Sequence, residues 1–217
     1  MSQRHRDEQE ARNAAEVMAW IEHLASHPEV PVDRDLVCHI NRLTLRATER
    51  DYWAGRIRSE VDWQEPWDWS QPRAIVALEE PGLAVADERT GKLLVKFPSD
   101  REVGGLFDAL LDWLDSVNAS ALPATVRAAI FHQRFTAIHP FRDGNGRTAR
   151  ALTTLLLTRA GFPLEILILQ RILDKRREAY IAALRHADQG QMSIWVQFFA
   201  EAVRDALREG HQSLTSG

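Results

Sequence analysis

The sequence predicts an all-α protein with a single small β-hairpin, and three features of the chain support this prediction. Apolar residues recur at helical spacing over most of the 217 residues. Between Asp51 and Asp100 this spacing gives way to Trp, Pro and Gly with short apolar stretches, two of which flank Thr90 and Gly91. The length suits one large domain at roughly 150 residues per domain, so we expect a single domain over residues 1–217.

The composition excludes several classes of protein. Hydrophobic residues make up 45% of the chain and charged residues 27%, which excludes a collagen-like, low-complexity or mostly disordered protein. The formal net charge of -4 provides no general attraction to nucleic acid or to an anionic membrane. No apolar run approaches the roughly 18 residues of a membrane span, and the charged N-terminus lacks a secretory signal. With Cys38 as its single cysteine the chain suits a reducing compartment, so we expect a cytoplasmic protein.

Two helices are predicted in the N-terminal part, residues 1–50. Apolar residues at helical spacing from Asp7 to about Ser26 predict an amphipathic helix, which ends before Pro28. These residues are Ala11, Ala14, Ala15, Met18, Ala19, Ile21 and Leu24. Asp33 or a neighbour can cap a second helix that runs to about Arg46. The residues expected on its inward face are Leu36, Ile40, Leu43 and Leu45.

The segment 51–100 is expected to be irregular apart from the hairpin. Its tryptophans at positions 63, 67 and 69 are expected to cover the core, in preference to stacking on a base or sugar. A short apolar stretch runs from Ala74 to Leu78. Residues 83–86 and 92–97 are predicted to be the two strands, joined by a turn that contains Gly91.

Helical spacing resumes in the predicted core, residues 101–209. The first helix is expected to bury Val103, Leu106, Leu110, Leu111 and Leu114. A later leucine-rich helix ends at Gly161, which suits a left-handed C-terminal cap, and it should be buried on most sides. The predicted helices are 101–116, 123–136, 147–160, 172–187 and 192–208. The tail, residues 210–217, is polar and expected to be frayed.

The functional residues are concentrated in one segment, His139-Pro-Phe-Arg-Asp-Gly-Asn-Gly-Arg-Thr-Ala-Arg150. Pro140 disfavours the α conformation at His139, so we expect His139 to be extended with its imidazole at the end of a helix. The reference pKa of histidine, roughly 6.5, leaves the ring largely neutral near pH 7. His139 is therefore a candidate general base for an attacking hydroxyl.

The residues after His139 favour an anion. Gly144, Asn145 and Gly146 allow positive φ values and close backbone approach at a helix N-terminus, where several N–H groups lack intrahelical partners. Arg147 and Arg150 lie three positions apart in the first helical turn, where cations oppose the helix dipole. Two arginines at that place indicate a bound polyanion.

Asp143 directly precedes this anion site. Magnesium commonly takes one or two carboxylates together with substrate phosphates, so Asp143 is a candidate magnesium ligand, or else an N-terminal cap for the next helix. Together with His139, the segment predicts magnesium-dependent nucleotidyl or phosphoryl transfer from a triphosphate. These residues leave open which phosphorus is attacked.

The segment resembles the signature of the Fic (filamentation induced by cAMP) family, His-x-Phe-x-Asp/Glu-Gly-Asn-Gly-Arg-x-x-Arg, at every specified position. The similarity extends from about Asp7 to Leu207. Further matching segments are Ala54-Gly55-Arg56-Ile57-Arg58, Ile138, Gly161-Phe162-Pro163 and Trp195 to Phe199.

The resemblance implies a Fic-type helical bundle with a hairpin flap, which transfers AMP from ATP to a Ser, Thr or Tyr hydroxyl of a target protein. It implies that His139 is the general base, that Asp143 binds magnesium, and that Gly144 and Gly146 form the anion hole. The remaining contacts that it implies are Asn145 to the α-phosphate, Arg147 and Arg150 to the β- and γ-phosphates, and Phe141 as the anchor of the loop. The hairpin resembles the flap that aligns the target by strand addition.

Two features of the resemblance bear on activity and regulation. The phosphorylating relative Doc carries Lys in place of Gly146, so Gly146 favours adenylylation. The family's inhibitory pattern, Ser/Thr-x-x-x-Glu-Gly/Asn, has no full match, and its nearest substitute is Asp205 to Gly210. The chain is therefore either unrestrained, or inhibited by a Glu from a small antitoxin-like protein or from a preceding segment.

Several alternatives stay open at this point. The transferred group can instead be UMP, GMP, phosphate or phosphocholine, because the motif does not read the base. The chain can also be a non-catalytic nucleotide-binding module of regulatory or toxin type. The sequence leaves the target and the oligomeric state open, with a homodimer as one alternative.

Overall fold

A computed structural model of the protein describes residues 3–58, 82–86, 93–163, 166 and 168–215. These residues form an all-α fold with one hairpin, as predicted. The helices are α1 (Gln3–Ala25), α2 (Arg34–Leu45), α3 (Asp100–Asp115), α4 (Val117–Ser120), α5 (Ala124–Ile138), α6 (Asn145–Arg159), α7 (Leu169–Lys175), α8 (Arg177–Asp188) and α9 (Met192–Thr215), with a 3₁₀ turn at Asp51–Trp53 and strands β1 (Gly82–Ala86) and β2 (Leu93–Ser99). The three tryptophans, the stretch 74–78 and the turn at Gly91 lie outside the described residues.

Helices α5 and α6 form the centre of the bundle. Helix α5 packs against α3, α6 and α9, while α6 also packs against α1 and α2. Ten of the 15 residues of α6 are buried, which confirms that this helix is covered on most sides. Leu155 of α6 is fully buried, as are Phe131 of α5 and Trp195 of α9. The loop between α5 and α6, which carries the motif, is therefore held between two elements of the core.

Helix α1 buries only part of the predicted stripe. The predicted Ile21 and Leu24 are buried, together with Val17, whereas the predicted alanines at positions 11, 14, 15 and 19 are exposed. Asn13 completes this stripe because its Nδ2 donates to the carbonyl oxygens of Thr44 at 3.3 Å and Arg46 at 2.8 Å, at the end of α2. Alanine is a strong helix former on any face, so its spacing did not report which face is inward.

Helix α2 matches its prediction, and α3 departs from it at one residue. The Asp33 carboxylate accepts a hydrogen bond from the Leu36 N–H at 2.9 Å and caps α2 as expected. In α3 the predicted core residue Leu106 is 42% exposed, and Phe107 is fully buried instead. Phe107 lies four residues after Val103 on the same face, and its ring fills the position assigned to Leu106.

The C-terminal helices also differ from the prediction. The single helix expected over 172–187 is two helices, α7 and α8, because the backbone leaves the helical region at Arg176. Helix α9 continues to Thr215, so the expected frayed tail is wrong up to that residue. Glu209 on α9 forms ion pairs with Arg171 at 3.3 Å and Lys175 at 3.2 Å on α7. The spacing of apolar residues does not indicate such polar contacts.

The hairpin lies beside the C-terminal end of α5. Its strands are antiparallel, with Gly82 opposite Ser99 and Val85 opposite Val95. This pairing confirms the two predicted strands to within two residues at their ends. None of the described helices has the length and apolar character that a membrane span requires.

Candidate active site

His139 ends helix α5 in a left-handed conformation, with φ 54° and ψ 60°. The prediction that it is extended is therefore wrong. Its N–H donates to the Phe135 carbonyl at 3.0 Å, so His139 is the C-terminal cap residue of the helix. Pro140 favours an extended conformation at the residue before it, but His139 takes the left-handed conformation of a helix C-cap.

Thr136 and Phe97 are among the described residues that hold the His139 imidazole. Its Nδ1 lies 3.1 Å from the Thr136 carbonyl oxygen, and its ring stacks on Phe97 of β2 with 3.9 Å between the centroids. A carbonyl oxygen only accepts hydrogen bonds, so Nδ1 carries a hydrogen, and in the neutral ring Nε2 carries the lone pair. The ring is thus in the tautomer that a general base requires at Nε2.

Gly144 caps α6 with φ +78°. A Cβ atom there would lie 2.8 Å from Asn41 Nδ2 and 3.0 Å from Thr44 Oγ1, so the backbone of the loop lies directly against α2. Both the conformation and the close approach require glycine. The first N–H groups of α6 follow at this turn, which is the arrangement expected of an anion site.

The Asn145 side chain forms hydrogen bonds within the motif loop. Its Oδ1 accepts a hydrogen bond from the Phe141 N–H at 2.9 Å, and its Nδ2 donates to the Phe141 carbonyl at 2.7 Å. Asn145 is only 2% exposed, and Phe141 is fully buried against Phe107 and Phe135. The side chain of Asn145 therefore braces the loop, and its contact with an α-phosphate stays a prediction.

Asn41 of α2 is a buried residue of the site that the sequence analysis missed. Its Nδ2 donates to the Asp143 carbonyl at 3.0 Å and to Thr148 Oγ1 at 3.2 Å, and its Oδ1 accepts from the Gly55 N–H at 2.8 Å. Asn41 thereby joins α2, the motif loop and the first turn of α6. The available signal was a lone amide among the apolar residues of the inward face of α2.

The Asp143 carboxylate is paired with Arg50, a second residue that was missed. Oδ2 contacts the Arg50 guanidinium, and Arg147 lies 3.7 Å away on the other side. Burial works to raise the pKa of Asp143, but the charges of Arg50 and Arg147 and the Gly144 N–H lower it below its ordinary value. Asp143 is therefore ionised at neutral pH, as a cation ligand must be.

The two motif arginines lie on the first turns of α6, as expected. Arg147 Nη1 donates to the Thr44 carbonyl at 3.4 Å and lies 3.5 Å from Glu10 of α1. The Arg150 side chain is 13% exposed, and its Nη2 lies 3.8 Å from Asp174. Arg150 also packs over Gly146, where a Cβ atom would lie 3.3 Å from Nη1. A larger residue at position 146 would therefore displace Arg150.

A buried polar network lies beneath Arg150. The Tyr180 hydroxyl lies 2.9 Å from His132 Nε2, and His132 Nδ1 lies 3.0 Å from the hydroxyl of Thr153. Burial, with a smaller effect of the Arg150 charge, lowers the pKa of His132 to about 3, so the ring is neutral. Thr153 donates its own hydrogen to the Ala149 carbonyl, so His132 donates from Nδ1 and accepts from Tyr180.

The carboxylates in the segment closest to an inhibitory pattern pair with basic residues at and next to α7. Asp205 contacts Arg176, and Glu209 pairs with Arg171 and Lys175. These contacts tie α9 to the region of α7. Within the described part of the chain, the carboxylates of residues 205–210 therefore serve helix packing.

Comparison with known proteins places this site in a family. Residues 31–157 match the family model described as Fic/DOC family. Protein adenylyltransferase fic-1 of Caenorhabditis briggsae is 39% identical over 92 residues, 42% of this chain and 17% of that protein. Protein adenylyltransferase Fic of Drosophila willistoni is 36% identical over 110 residues, 51% of this chain and 21% of that protein. The chain belongs to the Fic/DOC family.

The fold agrees with this assignment. A Fic family protein from Desulfovibrio desulfuricans has a TM-score of 0.70 and 29% identity, over 96% of this chain and 54% of that chain. The likeness therefore extends beyond the motif to nearly the whole chain. The chain spans about a fifth of the length of the curated relatives named above.

Proposed function

We propose that this chain is a protein adenylyltransferase, which transfers AMP from ATP to a Ser, Thr or Tyr hydroxyl of a target protein. The observation that carries the proposal is the His139 imidazole, whose Nδ1–H is committed to the Thr136 carbonyl so that Nε2 can accept a proton. The ring stands one short loop away from the glycine-capped N-terminus of α6. The names of the similar relatives, protein adenylyltransferases, add support.

In the proposed reaction the target hydroxyl oxygen attacks the α-phosphorus of ATP. Its proton passes to His139 Nε2, the bond from the α-phosphorus to the bridging oxygen breaks, and pyrophosphate leaves. The backbone N–H groups at Gly144 to Gly146 and the guanidinium groups of Arg147 and Arg150 provide positive charge for the β- and γ-phosphates. Catalysis then depends mainly on positioning and charge stabilisation.

The residues present fit a magnesium ion that binds together with the nucleotide. Asp143 provides one ionised carboxylate with its side chain 17% exposed, and one carboxylate plus phosphate oxygens is a common ligand set for this ion. Asp143 would hold such an ion, which would supply positive charge for the phosphates of the nucleotide. In the chain alone, Arg50 provides the positive charge beside Asp143.

Replacing Arg50 with Gln should strengthen the binding of a divalent cation to the nucleotide-free protein. Removal of the competing guanidinium is worth up to about 1 kcal/mol for a partly exposed ion pair, or roughly a fivefold lower Kd. Electron paramagnetic resonance of Mn²⁺ measures this directly. Arg46→Gln is the matched control, because it removes the same charge from a pair with Glu16. An unchanged Mn²⁺ affinity in Arg50→Gln would contradict the role given to Asp143.

The partners belong to the same proposal. The hairpin β1–β2 lies beside His139 through Phe97, which favours it as the surface that presents an extended segment of the target. We also propose a cytoplasmic location, a small antitoxin-like inhibitor and a homodimer. Co-purification of the chain from its own cells, followed by sedimentation, tests the inhibitor and the dimer together.

The reaction is tested with ATP labelled at either the α- or the γ-phosphate. Purified chain and a panel of proteins, itself included, should become labelled from the α-position only, with release of pyrophosphate. Mass spectrometry of the modified residue should find one AMP group on a hydroxyl side chain. Labelling from the γ-position would show phosphoryl transfer, and calorimetric ATP binding without any modified protein would show a binding module; either result overturns the proposal.

A further inference from the structure

Arg58 is a charged side chain in the core that no step above uses. It is fully buried, with 0% of its surface exposed, and follows Ile57, which bridges to Phe141 of the motif loop. A buried guanidinium needs hydrogen-bond acceptors for its N–H groups, because their desolvation is otherwise costly. Its partners therefore show what it holds in place.

Most of these partners are backbone carbonyls next to His139. Arg58 Nε donates to the His139 carbonyl at 2.8 Å, and Nη2 donates to the Ile138 carbonyl at 3.2 Å. The backbone N–H of Arg58 donates to the Pro140 carbonyl at 2.9 Å. One residue thus holds three consecutive carbonyl groups, on both sides of the Cα atom of His139.

Those carbonyls belong to the end of α5, where the last C=O groups have no intrahelical partner. A cation is favourable there, at the negative end of the helix dipole. His139 also has a positive φ, which residues other than glycine seldom adopt. Hydrogen bonds that orient the peptide groups before and after His139 set its φ and ψ, and hence the direction of its side chain.

The Arg58 guanidinium also contacts β2, the strand on which the His139 ring stacks. Nη2 donates to the Pro98 carbonyl at 3.0 Å, directly after Phe97, whose ring stacks on His139. Nη1 pairs with the buried Asp100 at the start of α3. Arg58 is therefore the common tie between the backbone of His139 and the strand that covers its ring.

Asp100 provides a negative charge next to the buried Arg58 guanidinium. Asp100 is 3% exposed, and Arg142 lies 3.7 Å from its second oxygen and over the ring of Trp53. Buried ion pairs often contribute little net stability, because desolvation offsets their attraction. The main effect of such a buried ion pair is to fix the position of the groups that it contacts.

We infer that Arg58 is a positioning residue for His139: by holding the carbonyls of residues 138–140 and Pro98, it keeps the imidazole in the Nδ1–H tautomer and in the direction that proton transfer to Nε2 requires. This inference rests on the proposed function for its catalytic part only. The tautomer of His139 is a property of the chain without substrate.

Nuclear magnetic resonance of ¹⁵N-histidine-labelled protein tests the tautomer, with His139→Asn to assign the signal. In the wild-type chain His139 should be in the Nδ1–H form. In Arg58→Met the signal should become a mixture of tautomers, and kcat should fall about 100-fold while ATP affinity stays within twofold. Arg56→Met, an exposed arginine two residues away, should match the wild type in all three measurements.

Arg58→Lys provides the second variant should Arg58→Met fail to fold. It keeps the charge beside Asp100 but cannot span three carbonyls, so it should fold, lose at least tenfold in kcat and show the mixed tautomer. A folded Arg58 variant with the wild-type His139 signal and kcat would overturn the inference. If the wild-type chain transfers no AMP, the proposed function fails, while the tautomer measurement still decides whether Arg58 positions His139.

Discussion

His139→Asn is expected to lower the rate of AMP transfer by about 10²- to 10⁴-fold, the range typical of a lost general base. Asparagine tolerates the left-handed conformation of His139 better than alanine does, so the loop should keep its shape. ATP binding should therefore be preserved, because the α6 N-terminus and its arginines are unchanged. Steady-state transfer rates and calorimetric titration with ATP separate these two effects.

The variant His139→Ala should abolish transfer as well, with an added conformational cost from alanine at positive φ. His186→Ala is the matched control, since His186 is an exposed histidine on α8 far along the chain from the motif. It should transfer AMP at the wild-type rate. Transfer by His139→Asn at a rate close to that of His186→Ala would remove His139 from the mechanism.

Gly144→Ala should reduce the free energy of unfolding by about 2–4 kcal/mol and abolish ATP binding. About 1–2 kcal/mol comes from placing a Cβ at φ +78°, and the rest from overpacking, because that Cβ would lie 2.8 Å from Asn41 Nδ2. The displaced loop also loses the hydrogen bond from Asn41 to the Asp143 carbonyl. Urea unfolding and calorimetry measure the two consequences.

Gly161→Ala is the control for the conformational part alone. Gly161 has φ +87°, but no atom lies within 4 Å of the Cβ that it would carry. The free energy of unfolding of Gly161→Ala should fall by only about 1–2 kcal/mol, and its ATP binding should be unaffected. Equal losses for the two variants would show that contact between Gly144 and α2 does not matter.

The position of the motif could be predicted from the sequence because its residues are contiguous and lie between two helical patterns. The contacts that orient them could not, although Arg58 lies in a segment that resembles the Fic family. Asn41 lies in α2, Phe97 in β2, and Arg50 and Arg58 before and after the 3₁₀ turn, so they meet the motif only through tertiary packing. Each is a single polar or aromatic residue in a local pattern that signals an ordinary helix, turn or strand.

The helix predictions show the same division. Periodicity located α2, α3, α5 and α6 to within about two residues at most ends, because apolar stripes and caps are local features. It failed where alanine occupies the outer face of α1 and where the backbone leaves the helical region at Arg176. Those outcomes depend on which neighbour a face meets, and that information is distributed over the whole chain.

The buried, neutral His132 makes the folded chain less stable as the pH falls. The folded chain resists protonation of this ring down to pH values of about 3, while the unfolded chain takes up the proton near pH 6.5. Between these values acidification favours the unfolded chain, by up to about 1.4 kcal/mol for each pH unit. Mild acid therefore destabilises the central helices through a residue that is fully buried in the core.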